Sequence, residues 1–457
     1  MALIVPKSDI TQEQKGRMRQ MLIVQPKFDF ITKSYPDPVV FMQSIGDSIH
    51  VPFAYGVVEG FPLPDKPRVS FSFTGSLLPR QVPVLEEGLY YLDRDGSVLY
   101  NVNCGFGKTV LAMKSSAHFG YITVVVMTRN VLAVQWVKNF QMRTDARVST
   151  DLNEDADVYV IMDTCLGKYS VEQWSKVGCL IIDEIHMFST PSHVSILNIT
   201  PVKIIGLSAT IERDDGMQVM TTLLCGINVI TRISDKPNLV YKYITRHRVE
   251  QKKNKLGFND HGDYCRQLFK VEERNGDILN LVLMNPNEKI MIMTSYKPHA
   301  TYLFQCLQQL GVSVARFFDK DKTYNDADVL VGTMQKLGTG FDEETACANW
   351  NGRRINLLIF VTTTKKIEQK VGRVLRADFP ITIHFVDDGE MSEKHWKVCE
   401  KWYRSRNSTI VEHREPILCI DECQGESVLQ ESVEITSSQD CQASQDVDDG
   451  EEEEEDI

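Results

Sequence analysis

The chain has 457 residues, of which 42% are hydrophobic and 25% are charged. This length exceeds one ordinary core, because domains usually hold ~100 to 200 residues, and the composition is that of a soluble globular protein. No apolar run approaches the ~20 residues that span a bilayer, so no membrane-spanning segment or membrane partner is expected. The formal net charge of −12 comes from residues 421–457, which carry 15 acidic and no basic side chains, so the rest of the chain carries +3.

The N-terminal segment and the cysteines indicate the compartment. The segment has neither a basic flank before an apolar stretch nor a small-residue cleavage site, so no secretory signal is expected. The 11 cysteines form neither a disulfide framework nor paired CxxC zinc ligands. We therefore expect a soluble intracellular protein of the cytoplasm or nucleus.

In chain order, residues 1–74 come first, with several prolines and no motif, and we predict an N-terminal extension whose role is open. From residue 75 to 235, short apolar runs alternate with helix-like segments. Near-continuous apolar strands separated by helices predict a parallel sheet with both faces covered. The predicted strands are residues 98–102, 122–127, 157–162, 180–183 and 203–208.

The same alternation restarts in residues 274–420 and predicts a second domain of the same α/β class. Its predicted strands are residues 289–294, 312–318, 328–333, 355–361 and 381–386. The basic, weakly periodic segment 236–273 is predicted to be a linker. Residues 421–457 are polar, acidic and poor in aromatic residues, and are predicted to be a disordered tail.

A glycine-rich stretch follows the first predicted strand of residues 75–235. "NVNCGFGKTVLAM" places Gly105, Phe106, Gly107, Lys108 and Thr109 at the start of a predicted helix. Backbone amides of such a loop bind phosphate, a lysine adds charge at the β and γ phosphates, and a threonine hydroxyl binds Mg²⁺. The stretch predicts a Walker A loop, although Val102 stands where the full pattern has glycine, and a chance turn before a helix is the alternative.

Two carboxylates end a later apolar strand in "CLIIDEIHMF". A buried parallel strand would deliver Asp183 and Glu184 to the same edge of the sheet as the phosphate loop. There Asp183 can hold Mg²⁺ and Glu184 can orient or deprotonate the attacking water. Together with Lys108 and Thr109, this pair predicts an ATP-hydrolysing enzyme that uses ATP and Mg²⁺.

At this point a family resemblance becomes specific. Asp183-Glu184-Ile185-His186 resembles a DExH box, and Ser208-Ala209-Thr210 resembles the SAT element of superfamily 2 helicases. The resemblance covers roughly residues 75–390 and implies two tandem RecA-like domains, the ATP-binding domain at 75–235 and the helicase C-terminal domain at 274–420. It also implies that His186, Ser208 and Thr210 couple hydrolysis to the nucleic-acid path.

Further elements of the family occur in order along the chain. By resemblance, Gln81 recognises adenine, Thr128 and Arg129 in "MTRNVLAVQW" contact the nucleic-acid backbone, and Thr333 in "VLVGTMQKLGTGFD" does the same. The resemblance places Gly340 and Asp342 near the nucleotide.

The last family element is "EQKVGRVLR", which matches the QxxGRxxR pattern with Gln369, Gly372, Arg373 and Arg376. The resemblance makes Gln369, Arg373 and Arg376 catalytic. On a helix, Arg373 and Arg376 would be three residues apart on one face, so that both guanidinium groups could meet the γ-phosphate. A generic basic helix is the alternative.

These resemblances imply an ATP-dependent nucleic-acid helicase or translocase that couples hydrolysis in the cleft between the domains to movement along a strand. "CGFGKT", the "QW" pair and the DExH box resemble the double-strand-DNA-directed members, including the transcript-release helicases of poxviruses and other large DNA viruses and the DNA-repair helicase of general transcription complexes. We therefore expect DNA in preference to RNA as partner, and a role in viral transcription or genome processing, with the virion as a further location.

Three alternatives stay open. The protein could be an RNA helicase, or a translocase that moves on duplex without separating strands. It could also be an ATP-binding scaffold in a transcription or repair assembly, docking transcription or replication proteins through residues 1–74 or the acidic tail. Trp136, Trp174, Trp396 and Trp402 could stack bases, but amphipathic packing is the preferred prediction.

Overall fold

The structure, a computed structural model, describes residues 2–28, 33–103, 105–188, 191–208, 218–232, 238–253, 257, 259–338 and 341–414. The chain divides into two compact units, residues 1–234 and 235–457. The predicted acidic tail lies outside the described residues. None of the described helices is both long and apolar enough to cross a membrane.

The N-terminal region of the first unit is built from short elements. They are β1 (Ala2–Pro6), α1 (Gln12–Met21), β2 (Ile23–Val24), β3 (Val39–Val40), β4 (Gln43–Ile45), β5 (Ser48–Pro52) and α2 (Phe53–Val58). The strands β1, β5 and β4 form an antiparallel sheet in that order. Helix α1 starts at Thr11, whose hydroxyl accepts from the Gln14 backbone while the Gln14 side chain accepts from the Thr11 backbone, an arrangement that satisfies two N-terminal amides.

This N-terminal region shares a core with the rest of the first unit. Leu3 and Phe53 are fully buried in the same apolar cluster as Val124 and Leu180, which lie in the main sheet described next. The Ala2 backbone amide donates to the carbonyl of Ile199 at 2.8 Å. The predicted extension is therefore packed against the first α/β domain.

The remainder of the first unit alternates strands and helices. The elements are α3 (Val82–Asp95), β6 (Ser97–Val102), α4 (Lys108–Phe119), β7 (Thr123–Met127), α5 (Asn130–Arg143), β8 (Val148–Ser149), β9 (Val158–Met162), α6 (Val171–Trp174), β10 (Cys179–Asp183), β11 (Lys203–Ser208), α7 (Gln218–Cys225) and β12 (Val229–Arg232). In the described residues, the strands form a seven-stranded parallel sheet in the order β12-β6-β11-β10-β7-β9-β8. All five strands predicted for this domain are confirmed within one residue at each end.

The second unit has the same class of architecture. Its elements are β13 (Leu239–Ile244), α8 (His261–Phe269), α9 (Glu272–Leu283), β14 (Ile290–Thr294), α10 (Lys297–Gln309), β15 (Val314–Phe317), β16 (Val329–Thr333), α11 (Met334–Gly338), α12 (Glu343–Ala346), β17 (Leu357–Phe360), α13 (Glu368–Val371), β18 (Ile381–Val386), α14 (Glu390–Arg404) and β19 (Thr409–Arg414). Its parallel sheet runs β15-β16-β14-β17-β18-β13-β19. The five strands predicted here are confirmed within two residues.

The segment 236–273 differs from its predicted role as a linker. Strand β13 lies between β18 and β19 in the sheet, and α8 follows it in the same unit. The linker prediction rested on the basic residues of this stretch. One of them, Lys242 in β13, is only 8% exposed, and its ammonium lies 3.2 Å from the carboxylate of Glu412 and 3.4 Å from that of Glu393. The ion pairs allow a basic residue to occupy a buried strand, so this stretch belongs to the second unit.

Candidate active site

The phosphate loop connects β6 to α4 at the carboxyl edge of the first sheet. Gly105 and Gly107 both have positive φ, 79° and 101°, a conformation that glycine adopts without a steric penalty. The Phe106 amide donates to the carbonyl of Asn103 at 3.1 Å, which closes the turn. Lys108 then begins α4, so the helix N-terminus and its free amides face this edge.

Gln81 packs directly against this loop. It is 3% exposed, its Nε2 donates to the Phe106 carbonyl at 2.7 Å, and its Oε1 accepts from the Leu78 amide at 2.8 Å. A Cβ on Gly107 would collide with Nε2 of Gln81. The structure therefore places Gln81 beside the phosphate loop, while its role in recognising adenine stays a prediction.

The two carboxylates lie at the end of β10, two strands away from β6 in the same parallel sheet. Loss of hydration and the neighbouring charge of Glu184 raise the pKa of Asp183 to about 6, against the opposing effects of a hydrogen bond from Trp136 and the positive charge of Lys108. Lys108 at the start of α4 and Asp183 at the end of β10 thus lie at the same edge of the parallel sheet. The arrangement can neutralise phosphate charge and hold a divalent cation.

Glu184 has an unusual backbone conformation. Its φ is +52°, in the left-handed region, where a non-glycine residue costs on the order of 1–3 kcal/mol. The following residues form a 3₁₀ turn, Ile185–Phe188.

His186 connects the carboxylate pair to the next strand. Its Nδ1 lies 2.9 Å from Oγ of Ser208 at the end of β11, and 3.5 Å from Oε2 of Glu184. The family resemblance gave His186 and Ser208 a role in coupling hydrolysis to the nucleic-acid path; the structure brings the two side chains into contact, and the role stays a prediction. Thr210, the third residue assigned to coupling, lies outside the described residues.

The donor set of the first unit fits Mg²⁺. This ion prefers oxygen ligands and is commonly held by one or two carboxylates together with substrate phosphates. Asp183 supplies a carboxylate and Thr109, half-buried in the first turn of α4, supplies a hydroxyl. Lys108 places its ammonium 3.1 Å from the Val102 carbonyl, across the phosphate loop.

Trp136 is the residue at this site whose contact the sequence did not predict. It lies in α5, is 2% exposed, and packs its ring against Phe140 at a centroid distance of 5.9 Å, as the packing prediction required. Its Nε1 also donates to Oδ2 of Asp183 at 2.8 Å. The available signal was that a buried indole N–H usually has a partner, but the sequence does not indicate which one.

Thr128 and Arg129 follow β7, the neighbour of β10 in the sheet. Thr128 is half-buried, and Arg129 is exposed immediately before α5 begins. Both therefore lie at the same sheet edge as Asp183. Their contact with nucleic acid stays a prediction.

In the second unit, the predicted residues lie at the ends of strands and in the loops that follow. Thr333 ends β16 beside Thr294, its register partner at the end of β14. The side chain of Asp342 accepts from the Thr345 amide at the start of α12 and also forms an ion pair with Arg376. Gly340 lies outside the described residues.

The two arginines of the QxxGRxxR element are arranged differently from the continuous helix that was predicted. Helix α13 ends at Val371, and a 3₁₀ turn, Val374–Arg376, follows it. Arg373 is 8% exposed and donates to the carbonyls of Phe341 at 2.7 Å and Gly338 at 3.0 Å. Both arginines therefore contact the segment from the end of α11 to the start of α12.

Gln369 and Gly372 complete this element. Gln369 lies half-buried in α13, and Gly372 follows the last residue of that helix. The adjacent Glu368 forms an ion pair with Arg406, which ties α13 to the end of α14. The catalytic assignment of Gln369 stays a prediction.

The chain is similar to a known protein family and to several viral proteins. A family model described as "Type III restriction enzyme, res subunit" matches residues 75–213. The chain is 25% identical over 418 residues to the candidate helicase 161L of Invertebrate iridescent virus 6, a match that covers 83% of this chain and 93% of that protein. It is 28% identical over 387 residues to the candidate helicase 055L of Frog virus 3, covering 81% and 88%.

A third viral protein and one solved structure are also similar to the chain. A candidate ATP-dependent RNA helicase of Acanthamoeba polyphaga mimivirus is 23% identical over 404 residues, covering 80% of this chain and 76% of that protein. The structure of S. cerevisiae Dbp5 bound to RNA and ADP BeF3 covers 74% of this chain and 94% of its own with a TM-score of 0.50 at 14% identity, which shows the shared fold of two RecA-like domains. The family match and the viral relatives support assignment of the chain to the superfamily 2 helicases, as an ATP-hydrolysing enzyme that acts on nucleic acid.

Proposed function

We propose that the chain is a DNA-directed motor of the DExH type that hydrolyses ATP at the Walker A loop of the first unit and uses the energy to move along a strand. The observation that carries this proposal is the convergence of Lys108 with the carboxylates after β10. Lys108 begins α4 after the loop that follows β6, and Asp183 ends β10, two strands away in the same parallel sheet, although the two residues are far apart in the sequence. If the glycine-rich stretch were only a chance turn before a helix, nothing would require it to lie at the same sheet edge as these carboxylates.

Each first-unit side chain has a proposed task. Lys108 binds the β and γ phosphates, and the amides at the start of α4 bind phosphate oxygens. Thr109 and Asp183 would hold Mg²⁺, which neutralises phosphate charge during transfer. Glu184 orients the attacking water and accepts its proton, and Gln81, fixed against the phosphate loop, recognises adenine.

The His186–Ser208 contact supports a coupling role. It joins the turn that carries Glu184 to the end of β11, from which the SAT element continues. A displacement of that segment by bound nucleic acid would move His186, and with it the surroundings of Glu184 at 3.5 Å. We propose that polymer binding adjusts the hydrolytic carboxylate through this hydrogen bond.

The second unit contributes arginines and nucleic-acid contacts to the proposed cycle. By the family resemblance, Arg373 and Arg376 have the task of stabilising charge on the transferring γ-phosphoryl group, and Gln369, Gly340 and Asp342 have tasks in nucleotide binding and hydrolysis. Thr128 and Arg129 of the first unit and Thr333 of the second contact the phosphate backbone. Binding should therefore weaken with salt and depend little on base sequence.

The choice between DNA and RNA rests on two kinds of similarity. "CGFGKT", the QW pair at Gln135 and Trp136, and the DExH box resemble helicases directed at double-stranded DNA. The mimivirus relative is named as an RNA helicase, which supports RNA as the second candidate. We propose DNA because the three sequence features occur together, and a role in viral transcription or genome processing follows from the same resemblance.

The test is ATP hydrolysis by the purified chain without polymer and with single-stranded DNA, duplex DNA or RNA, with Mg²⁺ present. We expect strong stimulation by DNA and its loss in Glu184→Gln, which keeps the size of the side chain and removes the base. Stimulation by RNA alone would replace the DNA proposal with the RNA candidate. Hydrolysis that no polymer stimulates would contradict a nucleic-acid motor. A strand-separation assay with the stimulating polymer then distinguishes a helicase from a translocase.

A further inference from the structure

The indole of Trp136 makes a polar contact with the carboxylate that the proposed function assigns to Mg²⁺. Nε1 of Trp136 donates to Oδ2 of Asp183 at 2.8 Å, a short, charge-assisted hydrogen bond. The ring itself is 2% exposed and is fixed by packing within the apolar cluster that contains Phe140. The donor is therefore held rigidly while its acceptor stands at the end of β10.

Burial alone does not explain this contact. Trp174 lies in the same unit and is 0% exposed, yet its Nε1 has no hydrogen-bond partner among the described residues. This unit thus tolerates a buried indole N–H without an acceptor. The pairing of Trp136 with a strand-end carboxylate instead has a specific geometric effect, because it occupies one oxygen of Asp183 and fixes the rotation of the carboxyl group.

Trp136 also lies on the helix that follows a proposed nucleic-acid contact. Arg129 is the N-terminal cap residue of α5, and Trp136 is seven residues further along, about two helical turns or ~10 Å. Helix α5 thus carries Arg129 before its first turn and the partner of Asp183 near its middle. A shift of the helix would act on both.

We propose that Trp136 is a positioning residue: its N–H holds Oδ2 of Asp183 so that Oδ1 is presented to Mg²⁺, and it links the position of α5 to that of the metal-binding carboxylate. The inference rests on the proposed function of Asp183. Partners that orient metal ligands in this way typically account for ~10- to 100-fold in metal affinity or activity. Trp136 would then have two roles, one in packing and one in orienting the carboxylate.

The test compares Trp136→Phe with the matched control Trp174→Phe, each of which removes one buried indole N–H and keeps an aromatic ring. Binding of fluorescently labelled ADP to the full chain is measured by anisotropy in EDTA and across a Mg²⁺ titration. We expect Trp136→Phe to need ~10-fold more Mg²⁺ for half of the Mg²⁺-dependent gain in affinity. Its affinity in EDTA should match that of the wild type, and Trp174→Phe should resemble the wild type throughout.

The outcomes separate this inference from the function beneath it. If the wild type shows no Mg²⁺-dependent nucleotide binding, the proposed function itself fails. If the wild type does but Trp136→Phe has the same Mg²⁺ requirement, or loses affinity equally in EDTA and Mg²⁺, the role is only structural and the inference is overturned.

A second measurement covers the case in which Trp136→Phe does not fold. The wild-type chain has five tryptophans, and their indole N–H signals can be followed by NMR. The signal that is displaced in Asp183→Asn should also shift when Mg²⁺ is added in the presence of ADP. A signal that responds to Asp183→Asn but not to Mg²⁺ would overturn the inference.

Discussion

The two units hold their proposed ATP-site side chains in different ways. In the first unit, Asp183 accepts from the indole of Trp136 and His186 contacts Ser208, so side chains from separate strands and helices fix one another. In the second unit, Arg373 binds backbone carbonyls and Arg376 pairs with Asp342, all within neighbouring loops. The first-unit groups are thus held by one another, whereas Arg373 and Arg376 already have partners within the second unit. If these arginines act on phosphate as proposed, they must share or exchange those partners.

The largest expected effect comes from Arg376→Ala, which tests whether the second unit takes part in the chemistry. Arginines that stabilise a transferring phosphoryl group are worth ~10³ to 10⁵ in turnover, and we expect a loss in that range with little change in nucleotide binding. Steady-state hydrolysis and labelled-nucleotide binding measure the two effects. Arg404→Ala, an exposed arginine paired with Glu400, is the control and should change neither. If Arg376→Ala hydrolysed ATP at the normal rate, Arg376 would have only a structural role through its ion pair with Asp342.

The next effect tests whether the first unit is as preset as its contacts indicate. Gly107→Ala forces a left-handed residue, which costs ~1–2 kcal/mol, and directs a Cβ into Gln81. We expect a lower Tm and loss of nucleotide binding. Gly276→Ala in α9 is the control, because a Cβ there meets nothing within 4 Å, and alanine should stabilise that helix by ~0.5–1 kcal/mol. Unchanged nucleotide affinity in Gly107→Ala would show that the loop adapts.

A smaller effect is expected from Ser208→Ala, which removes the contact with His186. A net hydrogen bond is worth ~0.5–1.5 kcal/mol, or up to roughly tenfold in rate. We expect polymer-stimulated hydrolysis to fall by more than hydrolysis without polymer. Ser116→Ala, which removes a buried hydroxyl that bonds the Met113 carbonyl at 2.9 Å, is the matched control. Equal losses with and without polymer would argue against coupling through Ser208.

The last prediction concerns the stability of the second unit towards acid, and no effect on turnover is expected from it. His299 is 0% exposed, neither ring nitrogen has a partner in the described part of the chain, and burial followed by the charge of Arg274 lowers its pKa to about 3. The folded state therefore keeps a neutral ring, while the unfolded state gains a proton below its ordinary pKa of 6.5. Stability should fall as pH drops from 6.5 towards 3, by up to ~1.4 kcal/mol per pH unit for this one proton.

Urea unfolding of His299→Leu across this pH range tests the expectation, since the variant should show a shallower fall than the wild type. His118→Leu, at an exposed position in α4, is the control and should keep the wild-type slope. An unchanged slope in His299→Leu would show that other groups govern the acid response.

The sequence was sufficient for most of the fold. Apolar runs such as residues 123–127 and 290–294 are uninterrupted by charged residues, so their prediction as buried parallel strands needed no tertiary information. Strand β13 was missed because Lys242 interrupts it, and its acidic partners lie ~150 or more residues away. Ion pairs of that range cannot be predicted from local pattern.

Some features of the candidate site could likewise be predicted from the sequence, and others could not. The placement of Lys108 and Asp183 at one edge of the sheet could be predicted, because parallel strands end at one sheet edge. The indole donor of Asp183 and the left-handed backbone of Glu184 could not, since each depends on the packing of α5 and of the turn after β10. Arg373 was assigned to a helix face by spacing alone, and its contacts with the carbonyls of Phe341 and Gly338 depend on tertiary packing that spacing does not show.

The shared core of the N-terminal region has a practical consequence. Leu3 and Phe53 contribute buried surface to the cluster that also contains Val124 and Leu180. A protein that began at residue 75, where the family match begins, would leave that apolar surface in water and be prone to aggregate. Amino-acid changes within the first 74 positions should therefore appear as low yield of soluble protein, and only secondarily as altered enzyme kinetics.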